Sequence, residues 1–158
     1  MSDHETATSA EAESALATRS GKELYEALFS GVYSKDLAKV MSCFADDAVV
    51  YDPHYPQPRM VGKAAIEQGM AWSLNALVKP SFQVRHMWLD ENSGVAEIDT
   101  HHVLQGGMEL KFDQVFVFEF HNGKFTRIQA YVPYRPPGIG GLVGRLTGLI
   151  WRLQGRGK

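Results

Sequence analysis

The second half of the chain most constrains what it can fold into. From Ser81 to Tyr134 the residues are extended in character, and turn residues interrupt them at short intervals. "SFQVRHMWLD" reads as one strand and "DENSG" turns it. "VAEIDTHHVL" and "MELKFDQVFVFEF" flank "QGG", a hairpin signal, and "HNG" leads into "KFTRIQAYVPY". Strands joined by connections this short pair antiparallel with their neighbours, because a parallel return needs a crossover of a dozen residues or more. The near-continuous apolar run "VFVFEF" predicts a strand covered on both faces.

The first half has a helical period instead. Leu24, Ala27, Leu28 and Val32 recur at steps of three and four, after Ser20 as N-cap and Glu23 at the capping-box position. "DLAKVMSCF" is a second, short helix with Leu37, Val40, Met41 and Phe44 on one face. "AVVYD" is the first strand, and "GKAAIEQGMAWSLNAL" a third helix with Ala65, Ile66, Met70 and Leu74 inward. Helices followed by a meander predict an α+β domain over residues 19–134, its helices packed on one face of a curved sheet.

With 158 residues, 44% of them hydrophobic and 22% charged, the chain has the composition of one soluble domain. One cysteine, Cys43, rules out an internal disulfide and reads as a buried, inert thiol. A net charge of −2 argues against a general nucleic-acid binder. The N-terminus lacks the basic and apolar regions of a secretory signal, and no apolar run approaches the roughly 18 residues of a membrane span, so the expected location is cytoplasmic. Residues 1–18 are acidic and read as a disordered arm. Residues 135–158 read as a Pro/Gly break and a basic amphipathic tail. Packing of that tail on its own domain or a sister subunit is favoured over membrane contact, because Gly144 and Gly148 weaken a free-standing helix. No cofactor is expected, since "GIGG" lacks the strand and helix that frame a nucleotide loop. No metal is expected either, since His101 and His102 point to opposite faces of their strand.

The candidate chemistry begins in "AVVYDPHYPQPRMVGKAAI". Proline holds the residue before it extended, so Asp52 stands at the end of its strand. Facing a cavity, it is a candidate base; bonded to backbone amides, it caps the loop. His102 shares a strand face with Ile98 and Thr100. The "QGG" turn is expected to bring Asp113 within a residue or two of His102, where a carboxylate would raise the imidazole pKa and make a usable acid or base. The alternatives are a wall histidine and a strand carboxylate tied to a neighbouring arginine.

"CFADDAVVYDPHYPQPRMVGKAAI", the meander, and "GKFTRIQAYV" together resemble the nuclear transport factor 2-like superfamily over about residues 20–134. That superfamily includes ketosteroid isomerases, SnoaL-like polyketide cyclases, scytalone dehydratases and limonene epoxide hydrolases. The resemblance implies a cone-shaped, strongly bent sheet wrapped by helices, a deep apolar pocket, and homodimerisation through the sheet. Asp52 matches the isomerases' general base, and Asp113, with a two-residue gap, their protonated acid; without the gap Val115 stands there. Leu28 replaces their tyrosine donor, and Tyr25 lies one turn away. Against the epoxide hydrolases, Thr100, His102 and Ala130 stand where an arginine and two aspartates belong, and Asp52 replaces an asparagine. The expectation is a cofactor-free acid–base enzyme of isomerase, dehydratase or cyclase type, acting on a small, largely apolar molecule. Asp52, His102 and Asp113 are its candidate catalytic residues, with Leu28, Thr100, Ile128, Ala130 and Tyr134 lining the ligand. A non-catalytic binder and an interaction module acting through the tail are the competing classes.

Overall fold

The computed structural model describes residues 19–133 together with Leu149 and Leu153, which are helical and exposed. The expectations for residues 1–18, for Tyr134 and for the rest of the tail lie outside the described residues. The elements run α1 (Gly21–Ser34), α2 (Leu37–Met41), β1 (Phe44–Tyr51), β2 (Arg59–Val61), α3 (Lys63–Ala76), β3 (Leu77–Lys79), β4 (Phe82–Leu89), β5 (Ser93–Leu104), β6 (Glu109–His121) and β7 (Lys124–Tyr131).

Local chemistry starts and stops these elements. Ser20 and Glu23 form the capping box, with the Glu23 N–H donating to Ser20 Oγ at 3.3 Å and the Ser20 N–H to Glu23 Oε2 at 2.8 Å. Lys35 ends α1 in the left-handed region at φ 56°. Leu24, Leu28 and Val32 are buried, as their spacing predicts, and Tyr25 and Phe29 widen that face. The β6–β7 turn places Asn122 at φ 48° and Gly123 at φ 67°, the two consecutive positive φ values that a tight hairpin needs.

The strands form one sheet in the order β2-β1-β7-β6-β5-β3, with β4 also on β5, and the sheet curls strongly into an open half-barrel. Every pairing is antiparallel except β1 with β7. Two short strands go beyond the expected five. β2 spans only three residues, too few to show a period. β3 begins at Leu77, which the apolar spacing assigns to the preceding helix. The strands β3 and β4 share one edge of β5, the first opposite Val103 and Leu104, the second opposite Gly94 to Thr100. The chain breaks between them at Pro80 and Ser81.

The inner face of the sheet packs on α1 through aromatic rings. Phe29 lies 4.7 Å from Phe82 and 6.1 Å from Phe116 between ring centroids, and Phe118 lies 5.6 Å from Phe125. Gly94 makes room for Phe118, because a Cβ there would stand 2.5 Å from its ring. The Tyr33 hydroxyl ties α1 to the start of β4, donating to the Phe82 carbonyl at 2.9 Å and accepting from its N–H at 3.1 Å. Cys43 is fully buried and burial pushes its thiol pKa up, the state of an inert cysteine.

The outer face is polar with an apolar centre. Arg85 bridges Asp99 and Asp113, Arg127 pairs with Glu119 and His86 with Glu97. Between them lie half-buried Val95, Val115 and Val117, with Trp88 and Tyr131 more than half exposed.

Candidate active site

Two adjoining cavities open on the inner side of the sheet. An inner one of about 60 Å³ lies among Tyr25, Leu28, Phe29, Phe118 and Ile128. An outer one of about 470 Å³ lies among His54, Trp72, His102, Leu110, Phe112 and Gln114. Asp52, Tyr55, Ser73 and Phe82 line both and so mark the waist between them. The outer chamber falls in the ~300–1,000 Å³ range of small-molecule sites, while the inner one holds a few waters or the tip of a ligand.

Asp52 follows the last residue of β1, where its N–H donates to the Pro58 carbonyl at 2.9 Å and extends the β1–β2 ladder into the loop. Its Oδ1 accepts from the His54 backbone N–H at 2.9 Å, closing the short turn that aspartate favours before a loop. The same oxygen meets His54 Nδ1 at 2.9 Å. An ionised carboxylate only accepts, so Nδ1 carries the proton and the neutral His54 ring keeps its lone pair at Nε2. The loop cap and the functional reading of Asp52 are therefore one arrangement. The cap sets His54 in place and the carboxylate sets its tautomer.

His102 is buried and lines the outer chamber. Ser81, at the break between β3 and β4, donates its N–H to His102 Nδ1 at 3.2 Å. The neutral ring then carries its proton on Nε2, the opposite tautomer to His54. Phe82 and Phe112 meet the imidazole edge-on, at 4.6 and 6.1 Å between centroids. Burial, followed by the charge on His54, pushes the His102 pKa down to about 4, with the Asp52 carboxylate pulling the other way.

The expected His102–Asp113 pair does not form. In the β5–β6 ladder His102 faces Leu110 and Asp99 faces Asp113, so even-numbered residues of β5 stand opposite even-numbered residues of β6. Opposed residues share a face. That register puts His102 inside with Phe112 and Gln114, and Asp113 outside, 61% exposed and 3.0 Å from Arg85. Asp113 is thus the strand carboxylate tied to an arginine. The His102 pKa falls instead of rising, because burial acts on it without a carboxylate partner.

Leu28 and Ile128 line the inner chamber. Ala130 is buried opposite Phe116, and Thr100 is buried on β5; neither belongs to the lining of the two chambers. Gln114 Nε2 donates to Thr100 Oγ1 at 2.7 Å, and its Oε1 is sealed off with no partner among the described residues. The Tyr25 hydroxyl is in the same condition at the inner chamber, and burial pushes its pKa up. Burial pushes Tyr55 up to about 12, and its hydroxyl donates to Met70 Sδ at 3.4 Å. Both phenols stay protonated and act only as neutral hydrogen-bonding groups. Among the described residues no group of three or more His, Cys, Asp or Glu is placed to hold a metal ion, and no helix is long and apolar enough to cross a membrane.

The model of the SnoaL-like domain family matches residues 22–128, and the chain belongs to that family. Its solved structural neighbours share the same cystatin-type, NTF2-like architecture. One is Rv0760c of Mycobacterium tuberculosis in complex with estradiol-17β-hemisuccinate, 16% identical with a TM-score of 0.64 over 72% of this chain and 94% of that one. A cystatin-fold protein of Novosphingobium aromaticivorans is 19% identical, with a TM-score of 0.62 over 72% and 98%. SalBIII, an epoxide hydrolase/cyclase-like enzyme with a role in pyran ring formation in the polyether salinomycin, is 19% identical, with a TM-score of 0.62 over 71% and 89%. At these identities the likeness is one of fold. No curated protein matches the sequence.

Proposed function

We propose that this chain is a cofactor-free acid–base enzyme acting on a small, largely apolar molecule in the double chamber, with the Asp52–His54 dyad as its base. The observation that carries this reading is the 2.9 Å contact between Asp52 Oδ1 and His54 Nδ1 at the chamber wall. A carboxylate at Nδ1 orients the ring, stabilises the imidazolium that forms on proton uptake, and leaves Nε2 free to take a proton. The aromatic walls suit an apolar substrate body, and the reading is supported by fold neighbours, one in complex with estradiol-17β-hemisuccinate and one with a role in pyran ring formation. Isomerisation, dehydration and cyclisation share the first step, removal of a proton from carbon next to a polarised group.

That step is measurable before the substrate is known. 2-Tetralone in D₂O should exchange its α-protons faster with the wild-type protein than in buffer. Asp52→Asn, which can still cap the loop, and His54→Ala should each slow the enzymatic exchange roughly 10²-fold, and the double variant no further. A normal rate in His54→Ala beside a lost rate in Asp52→Asn would make Asp52 itself the base. A second reading, ligand binding without turnover, is favoured by the backbone bond that satisfies Asp52 inside its own loop. Tetralone binding with no exchange in the wild type would establish it. A second copy of the chain on the apolar centre of the outer face, around Val117 and Tyr131, belongs to the same proposal. Sedimentation equilibrium should then give twice the mass of one chain, and a single chain mass would refute it.

A further inference from the structure

We propose that this protein docks on an anionic lipid surface through the mouth of its outer chamber together with its basic tail, and takes its apolar ligand from the bilayer. The proposal holds whether the chamber transforms its ligand or only carries it, so it stands apart from the acid–base reading.

Large apolar side chains stand open at the mouth. Trp72, on the last turns of α3, lines the outer chamber and is still 48% exposed. Met108 is 60% exposed in the turn between β5 and β6, close to Leu104 and Leu110, which both line the chamber. The alternation of β6, continued back one residue, puts Met108 on the side of Leu110 and Phe112. Val78, 53% exposed, follows the lining residue Leu77 on β3. Hydrogen bonds join these pieces into one rim. The Gln105 N–H donates to the Ala76 carbonyl at 3.0 Å, and Gln105 Nε2 donates to the Asn75 carbonyl at 2.9 Å. Open apolar groups around the entrance of an apolar chamber mark an interaction surface, and tryptophan is favoured where lipid meets water.

Charge selects the occupant. Residues 134–158 carry Arg135, Arg145, Arg152, Arg156 and Lys158 and no acid. Within them Leu149 and Leu153, one helical turn apart, are helical and more than half exposed. At the rim stand Lys79 and Lys111, while Glu109 beside them is held by His101 and Lys111 at 2.9 and 3.0 Å. A basic tail is therefore poorly matched to the mouth, and an anionic lipid surface is well matched to both. Pro133 and Leu149 are far enough apart in sequence for a reach of at most about 55 Å, so tail and mouth can meet the same surface. One weak apolar contact gives only marginal membrane binding, whereas an apolar contact and a basic one together make it stable. An apolar ligand concentrated in lipid then enters the chamber without crossing water.

Co-sedimentation of the full chain with lipid vesicles tests this. Mixed phosphatidylcholine–phosphatidylglycerol vesicles should bind the protein at least roughly tenfold more tightly than phosphatidylcholine alone, and added salt should weaken the binding. Met108→Glu, and separately Leu149→Glu with Leu153→Glu, should each weaken it roughly tenfold. All three positions are exposed, so melting temperatures should stay unchanged. With Trp88→Phe and Trp151→Phe in place, Trp72 is the sole tryptophan, and lipids brominated on their acyl chains should quench its fluorescence. Absence of binding to the mixed vesicles would overturn the proposal. So would bound protein whose Trp72 is unquenched and whose affinity survives Met108→Glu, because the tail alone would then hold the membrane. A dimer that Leu149→Glu with Leu153→Glu turns into a monomer would also overturn it, making a second copy the tail's occupant.

Discussion

Lowering the pH from 7 to 4 should remove about 3 kcal/mol of folding stability through His102 alone. In the unfolded chain an imidazole takes its proton near about 6.5, and in the folded protein burial holds His102 down to about 4. The unfolded state therefore binds the proton first as the pH falls. The contribution is complete above about 6.5, declines through the interval between the two values, and is gone below about 4. A difference of some 2.5 pK units at 1.36 kcal/mol each gives the figure of about 3 kcal/mol. The groups that set it are the His54 and His101 rings, which oppose protonation, and the Asp52 carboxylate, which favours it. Urea unfolding at both pH values, on the wild type and on His102→Asn, isolates the effect. Other carboxylates act equally on both proteins, so the wild type should lose about 3 kcal/mol more than the variant. Equal losses would mean that His102 is solvated in the folded state.

Phe118→Ala should cost about 3–5 kcal/mol, a large share of the stability of a domain this size. Phe118 is 1% exposed and touches the rings of Tyr25, Phe120 and Phe125, while Gly94 opens the backbone to it from the neighbouring strand. Removing the ring breaks contacts on four sides, and few neighbours are free to close the gap. The space gained adjoins the inner chamber, which Phe118 also lines. Benzene should therefore raise the melting temperature of Phe118→Ala more than that of the wild type, because the enlarged apolar space accepts an apolar guest. A loss below about 1 kcal/mol, or no response to benzene, would show that α1 collapses onto the sheet.

The sequence made some of this legible and hid the rest for identifiable reasons. The four meander strands and the faces of α1 and α3 follow from turn residues and periodicity, which are local signals, whereas Phe44, which spacing puts on the second helix, opens β1. Pro53 marked the strand end at Asp52, and Asp52 does stand at a chamber wall. Its histidine partner is hidden in the sequence because His54 lies two residues away, where neither strand nor helix spacing brings side chains together; a loop cap does. His102 falls on the face its strand period predicts, but Asp113 does not. One residue of hairpin register decides whether Asp113 looks in or out, and "QGG" does not encode that residue count visibly. Ser73 and Tyr55, both at the waist, look in sequence like an ordinary helix polar position and an ordinary loop aromatic. Only the closure of α3 over the sheet gives them a role.

The single parallel pairing in the sheet governs when this protein can exist as a folded object. Strand β1 ends at Tyr51, and its partner β7 begins at Lys124, so more than seventy residues must be made before the first strand finds its neighbour. Closing so long a loop is entropically slow, and until it closes β1 has only the short strand β2 beside it. Asp52 and His54 travel with β1, whereas His102 belongs to the meander. A nascent chain on the ribosome thus carries the two sides of the chamber as separate pieces, each with its apolar face uncovered. Protection from aggregation and assembly of the chamber arrive together, when the last strand docks.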